Sequence, residues 1–363
     1  MAAPYEVNGR FRGGIHMVAC EILDNCEIFT KNGYEIRKFE TCRIQRNSRD
    51  NSLNLSNFIN SFKIIKDLPH SIKNENGDIL YFHTSIGFAL IKDLIAVRRA
   101  KKKTRISTII HIHYAEYEKI VTGIALLDKL IIRLMRKYVD NVVFLSEVTK
   151  SEFVKRGLKE EKCSVIYNFS TLRMSKEEFD HKRETENEKK KLLFVGSIDQ
   201  RKGLFETLRC LERIKEPFEV HVCGKAWNEE DQQAFDRYID KSNLDIKYHG
   251  YVEGENKRRI FIDSDLLFLP SLEEGLPIVI MEALSTGCVV LTTKVGAIPE
   301  IITEKNGYII TSGSEDELNN AIKDFFSLSR SEIINLQSEN YRYSTEFSID
   351  NFLCKMLMVC EKV

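Results

Sequence analysis

Short apolar runs alternate with longer stretches of helical periodicity along most of the chain. "DILYFH" (78–83), "STIIHIH" (107–113) and "NVVFLS" (141–146) read as buried strands. Between them, "GFALIKDLIAVRRAKKK" and "GIALLDKLIIRLMRKYV" repeat their apolar residues at helical spacing. The pattern restarts with the strand-like runs "KLLFVGS" (191–197), "FEVHVCG" (218–224), "DIKYHGYV", "DLLFLPS" (265–271), "CVVLTT" (288–293) and "GYIITSG" (307–313). Helical segments such as "GLFETLRCLERI", "EGENKRRIFIDS" and "SEDELNNAIKDFFSL" lie among them. This alternation predicts an α/β protein with parallel sheets covered on both faces. Ligands of such sheets bind at the carboxyl ends of the strands. The start fits least well, because "PYEV" is a poor first strand.

One stretch interrupts the alternation. "TLRMSKEEFDHKRETENEKKK" is almost free of large apolar residues and predicts a linker over 171–190. Two doubly wound domains result, 1–170 and 191–340, and a length of 363 residues agrees with two.

Charge sharpens the division. The whole chain is formally neutral, yet residues 1–170 hold 28 Lys and Arg against 19 Asp and Glu, and the rest holds 26 against 35. "VRRAKKKTR" (97–105) places six cations in nine residues. In "ALLDKLIIRLMRKYV" (125–139), Leu126, Leu127, Leu130, Ile131, Leu134, Met135 and Tyr138 form a stripe expected to be core. Lys129, Arg133, Arg136 and Lys137 take the other face, towards solvent or an anionic membrane. Nucleic acid is a poor partner for a neutral chain with no aromatic–basic platform.

Nine cysteines without a CxxC pair read as small apolar residues in a reducing compartment. The first residues lack the basic and apolar regions of a signal peptide, and no apolar run is long enough to span a bilayer. The expected location is the cytoplasm, with any membrane contact peripheral, at the inner face of the plasma membrane.

Two stretches carry candidate chemistry. In "SLEEGLPIVIMEALSTG" (271–287), Pro277 suits a first helical position and Gly287 a helix stop. The amides near Gly275, Leu276 and Ile278, with Pro277 among them, form a cradle for a phosphate or for sugar hydroxyls. Glu274 stands at the helix mouth and Glu282 about 1.5 turns inside, leaning towards the amino end. Ionised carboxylates accept hydrogen bonds only, which suits the adjacent hydroxyls of a ribose or hexose. The alternative is a dipole partner at 274 and a solvated helix residue at 282. In "FVGSIDQRKG" (194–203), a strand ends at Gly196 and is followed by Arg201 and Lys202, adjacent cations that suit a diphosphate or merely a solvated turn.

Together these stretches resemble the nucleotide-sugar-binding domain of the retaining glycosyltransferases of the GT4 family, enzymes of the GT-B fold. The resemblance spans 191–325, including "FLPSLEEGLPIVIMEALSTGCVVLTT" and "KVGAIPEIITEKNGYII". The "EGLP" form is similar to enzymes of bacterial surface-polysaccharide assembly. Two Rossmann-like domains facing each other across a cleft are implied, with the C-terminal helix, about 341–363, crossing back onto the first. The family's paired glutamates fall on Glu274 and Glu282, and its diphosphate cations on Arg201 and Lys202. Ser197 departs from the family, which often has Arg there. "FRGGIHM" resembles its Gly-Gly loop, with Gly13 and Gly14 near the donor phosphate. "IIHIHYAEY" resembles the strand end that supplies a histidine beside the donor sugar. His113 is the first choice and His111 the alternative, on the expectation that only one faces the cleft. "DSD" (263–265) looks like a metal-binding DxD, but it leads into a buried strand and is not read as one.

What the resemblance implies is transfer, with retention, of a sugar from a nucleotide donor, UDP- or GDP-linked first and ADP-linked otherwise, to a glycan or lipid-linked glycan. No metal and no cofactor beyond the donor substrate are expected. Glu282 would hold the ribose, Glu274 the sugar hydroxyls, and Arg201 with Lys202 the leaving diphosphate. Two other readings use the same residues: phosphorolysis or epimerisation of a nucleotide sugar, and a non-catalytic nucleotide-sugar-binding subunit.

Overall fold

The computed structural model describes residues 1–5, 14–41, 55–85, 87–114, 125–185 and 189–363. The chain divides into two compact units, Met1–Asn168 with Ile349–Val363, and Phe169–Ser348. No helix among the described residues is long and apolar enough to cross a membrane.

The first unit is built on β1 (Ala2–Ala3), β2 (Phe39–Glu40), β3 (Ile79–Thr84), β4 (Ser107–Ile112), β5 (Asn141–Phe144) and β6 (Cys163–Val165). They form one sheet in the order β2-β1-β3-β4-β5-β6, parallel throughout. The first strand precedes "PYEV". Its two alanines are wholly buried between Phe39 and Phe82, where backbone pairing, not side-chain bulk, defines the strand. Leu80, Phe82, Ile110, Ile112, Val142 and Phe144 belong to one apolar core cluster with the helix Phe88–Lys103.

The helix Ala125–Tyr138 shares that core through Ile131, Ile132 and Met135. The expected stripe is only partly core, since Leu126 is 80% exposed and Leu130 49% exposed. Burial follows Ile131, Ile132, Met135 and Val139, so the inward face is rotated from the one read in the sequence.

The second unit contains β7 (Lys190–Val195), β8 (Phe218–Cys223), β9 (Ile246–Gly250), β10 (Leu266–Leu269), β11 (Val289–Thr293) and β12 (Gly307–Ile310). Their order is β12-β11-β10-β7-β8-β9, again all parallel. The chain runs outward from β7 in one direction and from β10 in the other. The topological switch point, where such sheets bind ligands, is therefore between β7 and β10.

The expected linker, 171–190, is instead part of the second unit. It contains the helix Lys176–Glu184, opened by a Ser175–Glu178 capping box. Phe179 is buried and stacks on Tyr341, with ring centroids 4.2 Å apart. Lys182 Nζ donates to the carbonyls of Ser264 (2.7 Å) and Thr286 (2.8 Å). One aromatic anchor and one inward lysine dock a helix that composition alone reads as solvated. At the other end, Ile349–Val363 lies with the first unit, while 341–348 stays with the second.

Candidate active site

The loops after β7 and β10 meet at the switch point. Gly203 has φ +71°, and a Cβ there would lie 2.5 Å from the Pro270 carbonyl oxygen. Leu272 N donates to Arg201 O at 2.8 Å, tying the two loops together. The approach is backbone against backbone, which glycine alone allows. Gly196, at the end of β7, meets a similar constraint. A Cβ on Gly224, at the end of β8, would fall 1.7 Å from the Gly196 carbonyl oxygen.

This junction brings Lys202 and Glu274 together. Lys202 Nζ donates to Glu274 Oε1 at 2.5 Å, and Ser271 Oγ donates to the same oxygen at 2.8 Å. Both side chains are mostly covered, 19% and 12% exposed. Arg201 is more open and is held by Asp199: its Nη2 donates to Oδ2 at 2.8 Å and its backbone N to Oδ1 at 2.9 Å. Ser197 Oγ donates to the same Asp199 Oδ2. The serine that departs from the family pattern thus helps hold the arginine four residues on through one carboxylate.

The helix after β10 spans Ile278–Ser285, with Pro277 one position earlier than expected, as its N-cap. Its first amides have no intrahelical partner and face the strand ends with a positive dipole. Gly275 and Glu274 are positioned by Gly296, whose Cβ would lie 2.2 Å from Gly275 O; Ala297 N donates to that oxygen. Leu276 is buried. Gly287, with φ +66°, follows the helix as its stop.

Glu282 is wholly buried rather than solvated. Its Oε1 accepts from Lys257 Nζ at 2.6 Å and from Thr171 Oγ1 at 2.5 Å. Its Oε2 is buried with no partner. Sequence reading missed Lys257, Thr171 and Asp199. Asp199 is legible as a carboxylate two residues from Arg201, but nothing in the sequence links 171 or 257 to 282.

Asp265, in the "DSD" stretch, lies at the opposite, amino end of β10. It is buried and accepts from Lys191 N at 2.9 Å.

In the first unit, Gly13 lies outside the described residues, and Gly14 begins the helix Gly14–Asp24. His83, at the end of β3, joins His111 and His113 at the end of β4. The expectation that one of His111 and His113 turns away is wrong. Residues two apart in a strand share a face, and these rings stack with centroids 4.1 Å apart. His83 Nδ1 and His113 Nε2 share a hydrogen bond of 2.8 Å, and the Tyr81 hydroxyl lies 3.1 Å from His111 Nδ1. Phe352 of the C-terminal helix Ile349–Glu361 stacks on His111. Burial disfavours the charged form, so all three are held neutral. His83 and His111 lie well below the ordinary imidazole range, and His113 is lowered to about 3.

Among the described residues, these histidines are the group whose nitrogens could hold a metal ion, all within 4.8 Å of one another. One nitrogen pair of the group, His83 Nδ1 and His113 Nε2, is already engaged in a hydrogen bond.

Comparison with known proteins gives the family and the fold. The family described as Glycosyl transferases group 1 matches residues 175–341, and Glycosyltransferase Family 4 matches residues 25–171. A protein of the cps region of Klebsiella pneumoniae is 24% identical over 81% of each chain. The amylovoran biosynthesis glycosyltransferase AmsK of Erwinia amylovora is 25% identical over 48% of this chain and 44% of its own. The crystal structure of Anabaena HepE in complex with UDP superposes with a TM-score of 0.71 at 14% identity, covering 100% of this chain and 98% of that one. The fold is thus GT-B, and the chain belongs to the glycosyltransferases, with a Family 4 half followed by a group 1 half.

Proposed function

We propose that this glycosyltransferase moves a sugar from a UDP- or GDP-linked donor to a glycan or lipid-linked glycan in surface-polysaccharide biosynthesis, with retention at the anomeric carbon. The Lys202–Glu274 pair at the β7/β10 switch point carries the reading. Support for the substrate class comes from AmsK, named for amylovoran biosynthesis, and from HepE, crystallised with UDP and with UDP-glucose.

The second unit takes the donor. As the glycosidic bond breaks, negative charge grows on the leaving diphosphate. Lys202, Arg201 and the amides that open the helix Ile278–Ser285 stabilise it where it develops. Glu274 accepts hydrogen bonds from the sugar hydroxyls, and Glu282 holds the ribose. These fixed cations and amides supply the electrostatics, so transfer proceeds without a metal. The acceptor belongs to the first unit, where neutral His113 serves as a hydrogen-bonding group towards the sugar. Exposed Leu126 and Leu130, next to Lys129 and Arg133, suit peripheral contact with an anionic membrane at the inner face of the plasma membrane.

A panel of UDP-, GDP- and ADP-sugars tests the reading by thermal shift, because ligand bound only to the folded state raises its melting temperature. One nucleotide family is expected to stabilise the protein and to yield an α-configured glycoside from an α-linked donor. An inverted product, or free sugar phosphate with no glycoside, would overturn it.

A further inference from the structure

Glu282 presents a problem of charge. Its carboxylate is wholly buried, and a buried charge is costly unless paired and hydrogen-bonded. The pairing is lopsided. Lys257 and Thr171 both bond to Oε1, at 2.6 and 2.5 Å, while Oε2 has no partner and no solvent. Lys257 comes from the helix Gly254–Asp263, between β9 and β10, and Thr171 from the segment before the helix Lys176–Glu184. Groups from two separate segments therefore converge on one oxygen of a third. Lys257, 13% exposed, is the solvent-facing member of the pair.

We propose that Lys257, assisted by Thr171, is a positioning residue for the donor: it occupies Oε1 of Glu282 so that Oε2 is left as the acceptor for a ribose hydroxyl. The inference rests on the assignment of Glu282 to the ribose. The cation pairs with the carboxylate where water cannot reach it, and the two hydrogen bonds to Oε1 hold the group against rotating to present either oxygen. An unmet buried acceptor then rewards a ligand that brings a hydroxyl and rejects one that does not.

The experiment compares UDP and GDP with their 2′,3′-dideoxy forms by calorimetry. Wild type is expected to bind the ribose form of its preferred nucleotide about tenfold or more tightly than the dideoxy form, the scale of one charge-assisted hydrogen bond. Glu282→Gln should lose most of that preference. Lys257→Met should lose it equally, raising KM for the donor more than it lowers kcat, and Lys257→Arg should restore part of it. In the Glu282→Gln background, Lys257→Met should change the preference no further. The double variant also checks folding, because it removes the buried charge together with its partner. If Glu282→Gln abolishes the preference while Lys257→Met keeps it, the positioning role falls and the ribose assignment stands. If wild type shows no preference, or binds neither diphosphate, the assignment fails and this inference with it.

Discussion

Among the described residues, three uncharged imidazoles cluster at the strand ends of the first unit. At the strand ends of the second, three cation–carboxylate pairs stand instead: Arg201–Asp199, Lys202–Glu274 and Lys257–Glu282. The two solutions carry different consequences. Imidazoles tolerate burial by giving up their proton, so the cluster needs no counter-charge but becomes sensitive to acid. The pairs set a cation against a carboxylate, two of them largely covered, and each cation can be shared with an anionic ligand without being created at the moment of binding. A leaving diphosphate calls for the second arrangement.

The largest test removes a cation from the charged side. Lys202→Ala should slow transfer by about 10²–10³-fold or more, the effect of deleting one preorganised stabilising group. Steady-state turnover on protein checked for folding measures it. Turnover unchanged within a factor of about three would mean that the charged pairs are structural only, and the contrast between the units would lose its functional sense.

Next comes the backbone junction that holds those pairs. Gly224→Ala puts a Cβ 1.7 Å from a carbonyl oxygen and should destabilise the second unit by about 3 kcal/mol or more. Gly14→Ala, with nothing within 4 Å of the added carbon, should stay within about 0.5 kcal/mol. Urea unfolding compares them, and equal losses would remove the argument from close approach.

Acid probes the imidazoles. His113 has a folded value of about 3, far below the unfolded imidazole near 6.5. Below pH ~6.5 the unfolded state takes up the proton and the folded state does not. Stability is therefore full above that pH and declines as pH falls towards 3, by about 2 kcal/mol for His113 between 6.5 and 5. His83 and His111 shift in the same direction and steepen the fall. A His113→Asn variant should show a shallower slope in unfolding measured from pH 7.5 to 5. An identical slope would show that the ring is charged in the folded protein.

The smallest expected effect concerns the basic helix. Leu126→Ser should alter stability by less than about 0.5 kcal/mol, because the side chain is 80% exposed, whereas a core leucine would cost several times more. A loss of 2 kcal/mol or more would return this residue to the core.

Parts of this picture were legible along the chain. The apolar runs at 78–83, 107–113, 191–197, 265–271 and 288–293 all became strands, because a strand buried on both faces needs only a short apolar segment. The two-residue β1 escaped notice because Ala2 and Ala3 are strand residues only through their neighbours. Phe179 turned a polar stretch into a docked helix, and one aromatic does not outweigh a window of charges in composition.

The sequence alone determined the alternating pattern, hence parallel α/β units, and the local chemistry of "EEGLP" and "QRKG", because periodicity and neighbouring residue types are properties of a short window. Only the tertiary structure decided which charges meet. Lys202 is 72 residues from Glu274, Thr171 is 111 from Glu282, and His83 is 30 from His113. Pairing across such separations is set by strand order and by glycine-permitted loop contacts. The same carboxylate is therefore a solvated helix residue or a buried, clamped acceptor according to what the fold lays over it.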